Sequence, residues 1–305
     1  MYERFYRSLY RIRRVEEEVA KIYPSDKIKS PIHLSIGQEA VAVGVCEALQ
    51  PNDIVFGTYR SHATYLAKGG DLKKMIAELY GKKTGCAKGK GGSMHLIDVN
   101  AGVMGASAVV GTTIPQAVGF AYALKLQKKK SIVVTFFGDG ACDEGVFNES
   151  LNFAALKQTP VIFICENNAY SIHSPQRDRH AIPDICRRAA AYGIPAERIE
   201  NNDIVQIYEH VSKAVEKVRS GETGPVFFEC MTYRWMEHVG PNQDYEAGYR
   251  SRSEAEPWFS SDQVQRIALL LNESVRHNIE ISVEAEIREA FEFAEASAFP
   301  SGEEL

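Results

Sequence analysis

Apolar residues recur along the chain in two alternating rhythms. At the start, Phe5, Leu9, Ile12, Val15 and Val19 fall three or four positions apart among Arg and Glu, which predicts an amphipathic helix. Continuous apolar runs then appear at residues 54–56, 131–137, 161–165 and 226–231. Runs of that length without polar alternation suit strands buried on both faces. Helical spacing returns over residues 38–49, 72–80, 114–127, from the turn after Phe137 to about Lys157, 184–192 and 205–219. Thr159-Pro160 and Gly193 stop two of these helices. The alternation predicts an α/β fold, a mostly parallel sheet with helices on both faces. A last helical region, residues 261–298, reads as a C-terminal extension. No repeat or linker divides the chain, so residues 1–305 are expected to form a single domain.

Three stretches follow neither rhythm. Residues 81–111 are rich in glycine (Gly85, Gly89, Gly91, Gly92, Gly102, Gly105), residues 169–183 are irregular, and residues 233–258 are polar and aromatic. Long irregular segments in compact domains often carry function.

Composition narrows the classes. The chain is 45% hydrophobic and 25% charged over 305 residues, an ordinary globular balance. A net charge of -5 and a pI near 6.0 give no electrostatic ground for binding nucleic acid or an anionic membrane. Lys128-Lys129-Lys130 and the arginines between Arg11 and Arg14 read as solvated helix surface. No run approaches the ~18 apolar residues of a membrane span. The six cysteines form no CxxC pair, so they read as reduced, buried thiols of a cytoplasmic protein.

The chemistry sits at two strand ends. The run 131–137 leads into Gly138-Asp139-Gly140, and the run 161–165 into Glu166-Asn167-Asn168. Open α/β sheets bind ligands at the carboxyl ends of their strands. A carboxylate and a carboxamide there are hard oxygen ligands, suited to a Mg²⁺ that also holds a diphosphate. The glycines let backbone come close to the phosphates. Asp139 alone would be better explained as a helix N-cap; the Asn pair at the second strand end reverses that balance in favour of the metal. No GxxxxGK[ST] is present, and Gly89-Lys90-Gly91 is followed by Gly92-Ser93-Met94 rather than completing GxGxxG. Nucleotide hydrolysis and simple dinucleotide binding lose their main support.

The pair Gly138-Asp139-Gly140 and Asn167-Asn168 resembles the thiamine diphosphate motif. His33-Leu34-Ser35-Ile36-Gly37-Gln38-Glu39-Ala40, Thr58-Tyr59-Arg60-Ser61-His62, Gly89-Lys90-Gly91-Gly92-Ser93-Met94-His95 and Thr232-Tyr233-Arg234 match one family in order and spacing. From about residue 2 to 298 the chain is similar to the alpha subunit of the decarboxylating first component of 2-oxo acid dehydrogenase complexes, including the acetoin-dehydrogenase type. The resemblance implies a thiamine diphosphate-binding fold. It implies that Asp139, the side chain of Asn168 and the backbone carbonyl of Tyr170 bind Mg²⁺. Tyr59, Arg60 and His238 would approach the diphosphate, with Gly138 beside them and Gly140 and Ala141 as backbone donors. Ala108 and Val110 would hold the aminopyrimidine edge through their backbone. His62 would lie near the reacting carbon and, with His238, act in catalysis.

The same resemblance implies a partner. The activating glutamate would come from a separate beta subunit, in a heterotetramer of two alpha and two beta chains. The reaction would decarboxylate a pyruvate-like 2-oxo acid, or cleave acetoin, and pass the acyl group to lipoamide on an acyltransferase. Residues 81–111 and 169–183 would be poorly ordered without cofactor and partner. Two departures bear on the substrate. Many members carry His-Gly-His-Ser where this chain has Met236-Glu237-His238-Val239, so the serine phosphorylated in some members is absent. Many also carry Gly-Phe where Ser30-Pro31 stands. The segment from Glu237 to Asn242 is similar to relatives associated with bacterial surface-polysaccharide gene clusters. That leaves open a non-oxidative acyl or aldehyde transfer to a sugar or other acceptor. A catalytically silent scaffold is the rival from another class.

Overall fold

The apolar runs form the centre of a six-stranded parallel sheet, in a computed structural model that describes residues 1–303. In spatial order the strands are β2 (Val103–Ser107), β1 (Ile54–Thr58), β3 (Val133–Gly138), β4 (Val161–Asn167), β8 (Val226–Met231) and β7 (Ala196–Ile199). Every pairing is parallel. Strand β4 is buried along its whole length, and β3 and β8 along all but the last residue. That double burial is why these strands read as unbroken apolar runs.

Successive side chains point to opposite faces, so each strand feeds two cores. Val134, Phe136, Ile162, Ile164 and Phe228 pack under α1 (Tyr2–Ile22), α2 (Glu39–Cys46), α3 (His62–Ala67), α4 (Leu72–Leu79), α9 (Ile204–Ser220), α11 (Gln263–Ala268) and α12 (Glu273–Ala296). On the other face, Val133, Phe137, Val161, Phe163 and Phe227 pack under α5 (Thr113–Leu126), α6 (Gly145–Lys157) and α8 (Cys186–Ala190). Past β4, a small hairpin of β5 (Tyr170–Ser171) and β6 (Ser174–Pro175) leads into α7 (Gln176–Arg179). Helix α10 (Arg252–Ser260) closes the aromatic segment, with Ala255 packed near Tyr170 and Tyr233.

Helices α1 and α12 are stitched together by polar pairs. Tyr6 donates to Glu280 at 2.6 Å, Tyr10 to Glu284 at 3.1 Å, Arg14 to Glu284 at 2.7 Å and Arg11 to Glu286 at 2.7 Å. The arginine run at the N-terminus is therefore partly a contact surface for the C-terminal helix, not only solvated.

Several elements differ from the sequence reading. The glycine-rich stretch contains β2, hidden because Gly105 and Ala106 break the β-branched signal. Edge strand β7, Ala-Glu-Arg-Ile, is too short and polar to stand out. The residues after Phe137 do not enter an α-helix directly: Asp139–Asp143 form a 3₁₀ turn, and α6 begins at Gly145. The expected C-terminal helical region is present and consists of two helices, α11 and α12. Residues 85–92 are tied down by one buried carboxylate. Glu78 of α4 accepts the backbone N–H of Ala87 (2.7 Å), Gly89 (2.9 Å), Gly91 (2.7 Å) and Gly92 (3.1 Å). A Cβ on Gly85 would come within 2.6 Å of the Glu78 Cα. The cysteines are all free thiols, four of them buried.

Candidate active site

Strands β3 and β4 run side by side in register, with Gly138 opposite Glu166. The chain therefore delivers Asp139 and Asn168 together, one strand spacing apart, at the carboxyl edge of the sheet. Both line a cavity of about 260 Å³. The ends of four neighbouring strands build its walls: Thr58-Tyr59-Arg60 at the end of β1, Ser107–Gly111 at the end of β2, Gly138–Ala141 at β3, and Glu166, Asn168 and Tyr170 at β4.

Eleven of the twelve residues expected in the site meet here: Tyr59, Arg60, Ala108, Val110, Gly138, Asp139, Gly140, Ala141, Asn168, Tyr170 and His238. His62 does not line the cavity. Its ring is fully buried behind it, with Nδ1 3.0 Å from Glu16 and Nε2 2.8 Å from the Ser93 hydroxyl. Both ring nitrogens are engaged there, so His62 is the one expected residue that stands outside the cavity lining. It anchors the glycine-rich segment to α1.

Asp139 is almost wholly buried, and its Oδ1 has no hydrogen-bond partner. Its Oδ2 is held by the Arg179 guanidinium. Burial pushes the carboxyl pKa upward, against the opposing pull of Arg179. A buried oxygen without a partner is costly unless something fills the place. Asp139 caps no helix, because the cap position of α6 belongs to Glu144. Asn168 donates its amide to the Gln38 side chain at 3.1 Å. Its Oδ1 accepts the Tyr170 N–H at 3.1 Å and keeps a second lone pair. An acid oxygen and an amide oxygen at one cavity fit a hard divalent cation.

The other Asn of the pair has a different task. Asn167 donates to Glu229 at 2.6 Å and to Gln176 at 3.2 Å, and accepts the Ala169 N–H at 2.9 Å. It holds the turn in which Ala169 takes a left-handed φ of 67°. Glu229 also receives the N–H groups of Ile185 and Cys186, so its position beside Asp184 and Cys186 is explained by packing of α8.

Opposite the acid edge lies an aromatic and basic wall. Arg60 donates to the Leu34 carbonyl at 2.8 Å and the His238 carbonyl at 2.9 Å, with His238 Nδ1 3.3 Å away. Burial lowers its pKa to about 10, which leaves it cationic at neutral pH. The rings of His33, Tyr59 and His238 cluster, with centroids 4.5 to 5.7 Å apart. Burial, reinforced by the charge of Arg60, pushes both His33 and His238 down to about 3. Both imidazoles are therefore neutral. Glu166 faces the same cavity, and burial pushes its carboxyl up to about 7 against the pull of Arg60.

His33, Gln38, Glu166 and Arg179 were not singled out from the sequence. His33 and Gln38 lie inside a stretch that carried the resemblance, and Glu166 stands directly before Asn167-Asn168, which was the available signal. Arg179 had none, being an arginine in an unperiodic stretch.

Known proteins bear on this arrangement. The model of one family, described as dehydrogenase E1 component, matches residues 7–303. The chain belongs to the dehydrogenase E1 component family. This E1 chain is 38% identical to the alpha subunit of acetoin:2,6-dichlorophenolindophenol oxidoreductase of Bacillus subtilis, over 98% of its own length and 90% of that protein's. It is 36% identical to the pyruvate dehydrogenase E1 component alpha subunit of Rickettsia bellii, over 100% and 94% of the two chains. The corresponding subunit of Porphyra purpurea is 35% identical over 96% and 88%. The six-stranded parallel α/β fold agrees with the fold expected of the family. No helix among the described residues is long and apolar enough to cross a membrane.

Proposed function

We propose that this E1 chain is the alpha subunit of a thiamine diphosphate-dependent 2-oxo acid dehydrogenase, working with a separate beta subunit in a heterotetramer of two alpha and two beta chains. One observation carries the reading: the partnerless Oδ1 of buried Asp139 and the side chain of Asn168 face one cavity from adjacent parallel strand ends. When bound, thiamine diphosphate supplies a nucleophilic carbon and an electron sink. Asp139, Asn168 and the Tyr170 carbonyl would hold Mg²⁺ against the diphosphate. Arg60 presents a fixed positive charge at the far wall, and the Gly138–Ala141 turn brings backbone close. Ala108 and Val110 border the side where the aminopyrimidine would sit. His238, with His33 beside it, is uncharged and would act at the substrate end as a hydrogen-bond partner. His62 keeps a supporting role through Ser93. The glutamate that activates the ring would come from the beta chain.

The relatives favour dehydrogenase chemistry over non-oxidative transfer and over a silent scaffold. Their names point to a pyruvate-like 2-oxo acid, or acetoin, as substrate; the acceptor of this proposal is lipoamide on an acyltransferase. A cytoplasmic location suits such a complex. Calorimetry on the complex with its co-purified partner tests the cofactor: thiamine diphosphate with Mg²⁺ should bind, and Asp139→Ala should lose that binding. Retention of cofactor by the variant would remove the metal assignment. Reduction of lipoamide by the complex with pyruvate, a branched-chain 2-oxo acid or acetoin tests the reaction, and no acyl-lipoamide from any of them would rule it out.

A further inference from the structure

Residues 237–242 form a loop that closes on itself through one side chain. The Glu237 N–H donates to the Asn242 carbonyl at 2.8 Å, and the Glu237 carboxylate accepts the Asn242 N–H at 2.9 Å. Gly240, between them, has a φ of 119°, and a Cβ there would lie 2.8 Å from the Glu237 Cδ. The carboxylate therefore fills a seat that only glycine leaves open. Many members of the family carry Gly where Glu237 stands, so the contact belongs to this chain. The next residue is His238. Its carbonyl accepts Arg60 at 2.9 Å, and its ring lines the cavity beside His33 and Tyr59. The loop is otherwise pinned near its base: Gly240 donates to the Ile32 carbonyl at 2.9 Å, and the Met236 carbonyl accepts Arg234 and Arg250, each at 2.7 Å. Its outer part is open to solvent, with Val239 and Asn242 exposed.

We infer that Glu237 is a positioning residue for His238: its carboxylate braces the 237–242 loop and so holds the His238 ring and carbonyl in place against Arg60 before a cofactor binds. A solvent-facing loop with little apolar burial is marginally held, so one hydrogen bond weighs heavily in its closed population. Affinity at a site falls with the fraction of molecules in the competent form. Removing the brace therefore weakens binding at the wall of Arg60 and His238 without altering a group that lines the cavity. What the brace needs is an acceptor oxygen at the Asn242 N–H, and an amide oxygen can take that place. The inference rests on the cofactor reading of the cavity given above, and its test keeps the two separable.

Glu237→Ala and Glu237→Gln are compared with the natural full-length chain, each as the cofactor-free complex with its co-purified partner. Hydrogen exchange reads the loop, and calorimetry with thiamine diphosphate at saturating Mg²⁺ reads the site. In Glu237→Ala the amides over residues 238–242 should exchange faster while those of β3 and β4 stay unchanged, and thiamine diphosphate should bind about fivefold more weakly. Glu237→Gln, which keeps an acceptor oxygen, should stay within about twofold of the natural chain in both readings. If Glu237→Ala leaves the loop amides unchanged, or frees the loop yet binds thiamine diphosphate as tightly as before, Glu237 positions nothing and the inference falls while the cofactor reading stands. If Glu237→Gln behaves like Glu237→Ala, the acceptor oxygen is not what acts, and the inference falls as well. If no protein binds thiamine diphosphate, the natural chain included, the cofactor reading falls and takes the inference with it.

Discussion

Burial decides which groups at the cavity wall carry charge. His33 and His238 are held near 3, below the ordinary 6.5. The unfolded chain binds protons there that the folded chain refuses, so their contribution to stability is full above pH 6.5 and lost as pH falls toward 3. Glu166, raised to about 7 from 4.5, works the other way: its contribution is full below 4.5 and lost as pH rises through 7. Two imidazoles outweigh one carboxyl, so the cofactor-free chain should melt at progressively lower temperature on acidification below pH 6.5. His238→Asn should flatten that decline in a series of thermal melts; an unchanged slope would count against a neutral His238. Asp139 and Asn168 were legible because spacing alone places two oxygen-bearing residues on neighbouring strand ends. Glu166 was quoted in the same run yet not assigned, since its burial comes from tertiary packing. His62 follows Tyr59 and Arg60 in sequence but stands outside the cavity lining. Helix α3 begins at that residue and turns the ring toward α1, away from the cavity.

The glycine-rich segment shows what periodicity misses. Its order comes from a side chain on a different element, Glu78, whose two oxygens take four backbone N–H groups. Nothing in the helical pattern of α4 marks that glutamate as buried. Glu78→Ala would strand those donors, and we expect a loss of about 3 kcal/mol in urea unfolding, with faster amide exchange over residues 85–92. A loss under 1 kcal/mol would mean that the segment holds itself. The central strands were readable because both faces are buried, which leaves no polar interruption. Strands β2 and β7 were not, because edge strands need less apolar surface and here include Gly, Glu and Arg. Helix α10 was hidden by its composition, with Pro257 inside it and three glutamate or arginine residues in its first turns. The expectation that residues 81–111 and 169–183 are poorly ordered without cofactor and partner has its own measurement. Exchange should slow over residues 81–111 when thiamine diphosphate, Mg²⁺ and the beta chain are added, and equal rates would reject it.

At the scale of the whole molecule, the cavity is only half enclosed. Val109 and Val110, on its rim, are 63% and 40% exposed, unusual for apolar residues beside a binding site. Leu126, Phe153 and Leu156 are likewise exposed on α5 and α6. A chain built this way suits a site completed by another subunit. Light scattering should find two copies of each chain in the co-expressed complex, and the chain alone should hold thiamine diphosphate far more weakly; equal affinity would show that the site needs no second subunit. The general plan of the sheet could be read from the sequence, but the joining of its two ends could not. Helix α1 is made well before the C-terminal helix α12, since the carboxylates that receive Tyr6, Arg11 and Arg14 lie at positions 280, 284 and 286. Until α12 has been made, the polar side of that helix lacks these partners, although α2 and α3 can already cover part of its apolar stripe. The seam between α1 and α12 therefore closes late, and a chaperone that shields helix α1 until α12 has been made would raise the yield of folded subunit.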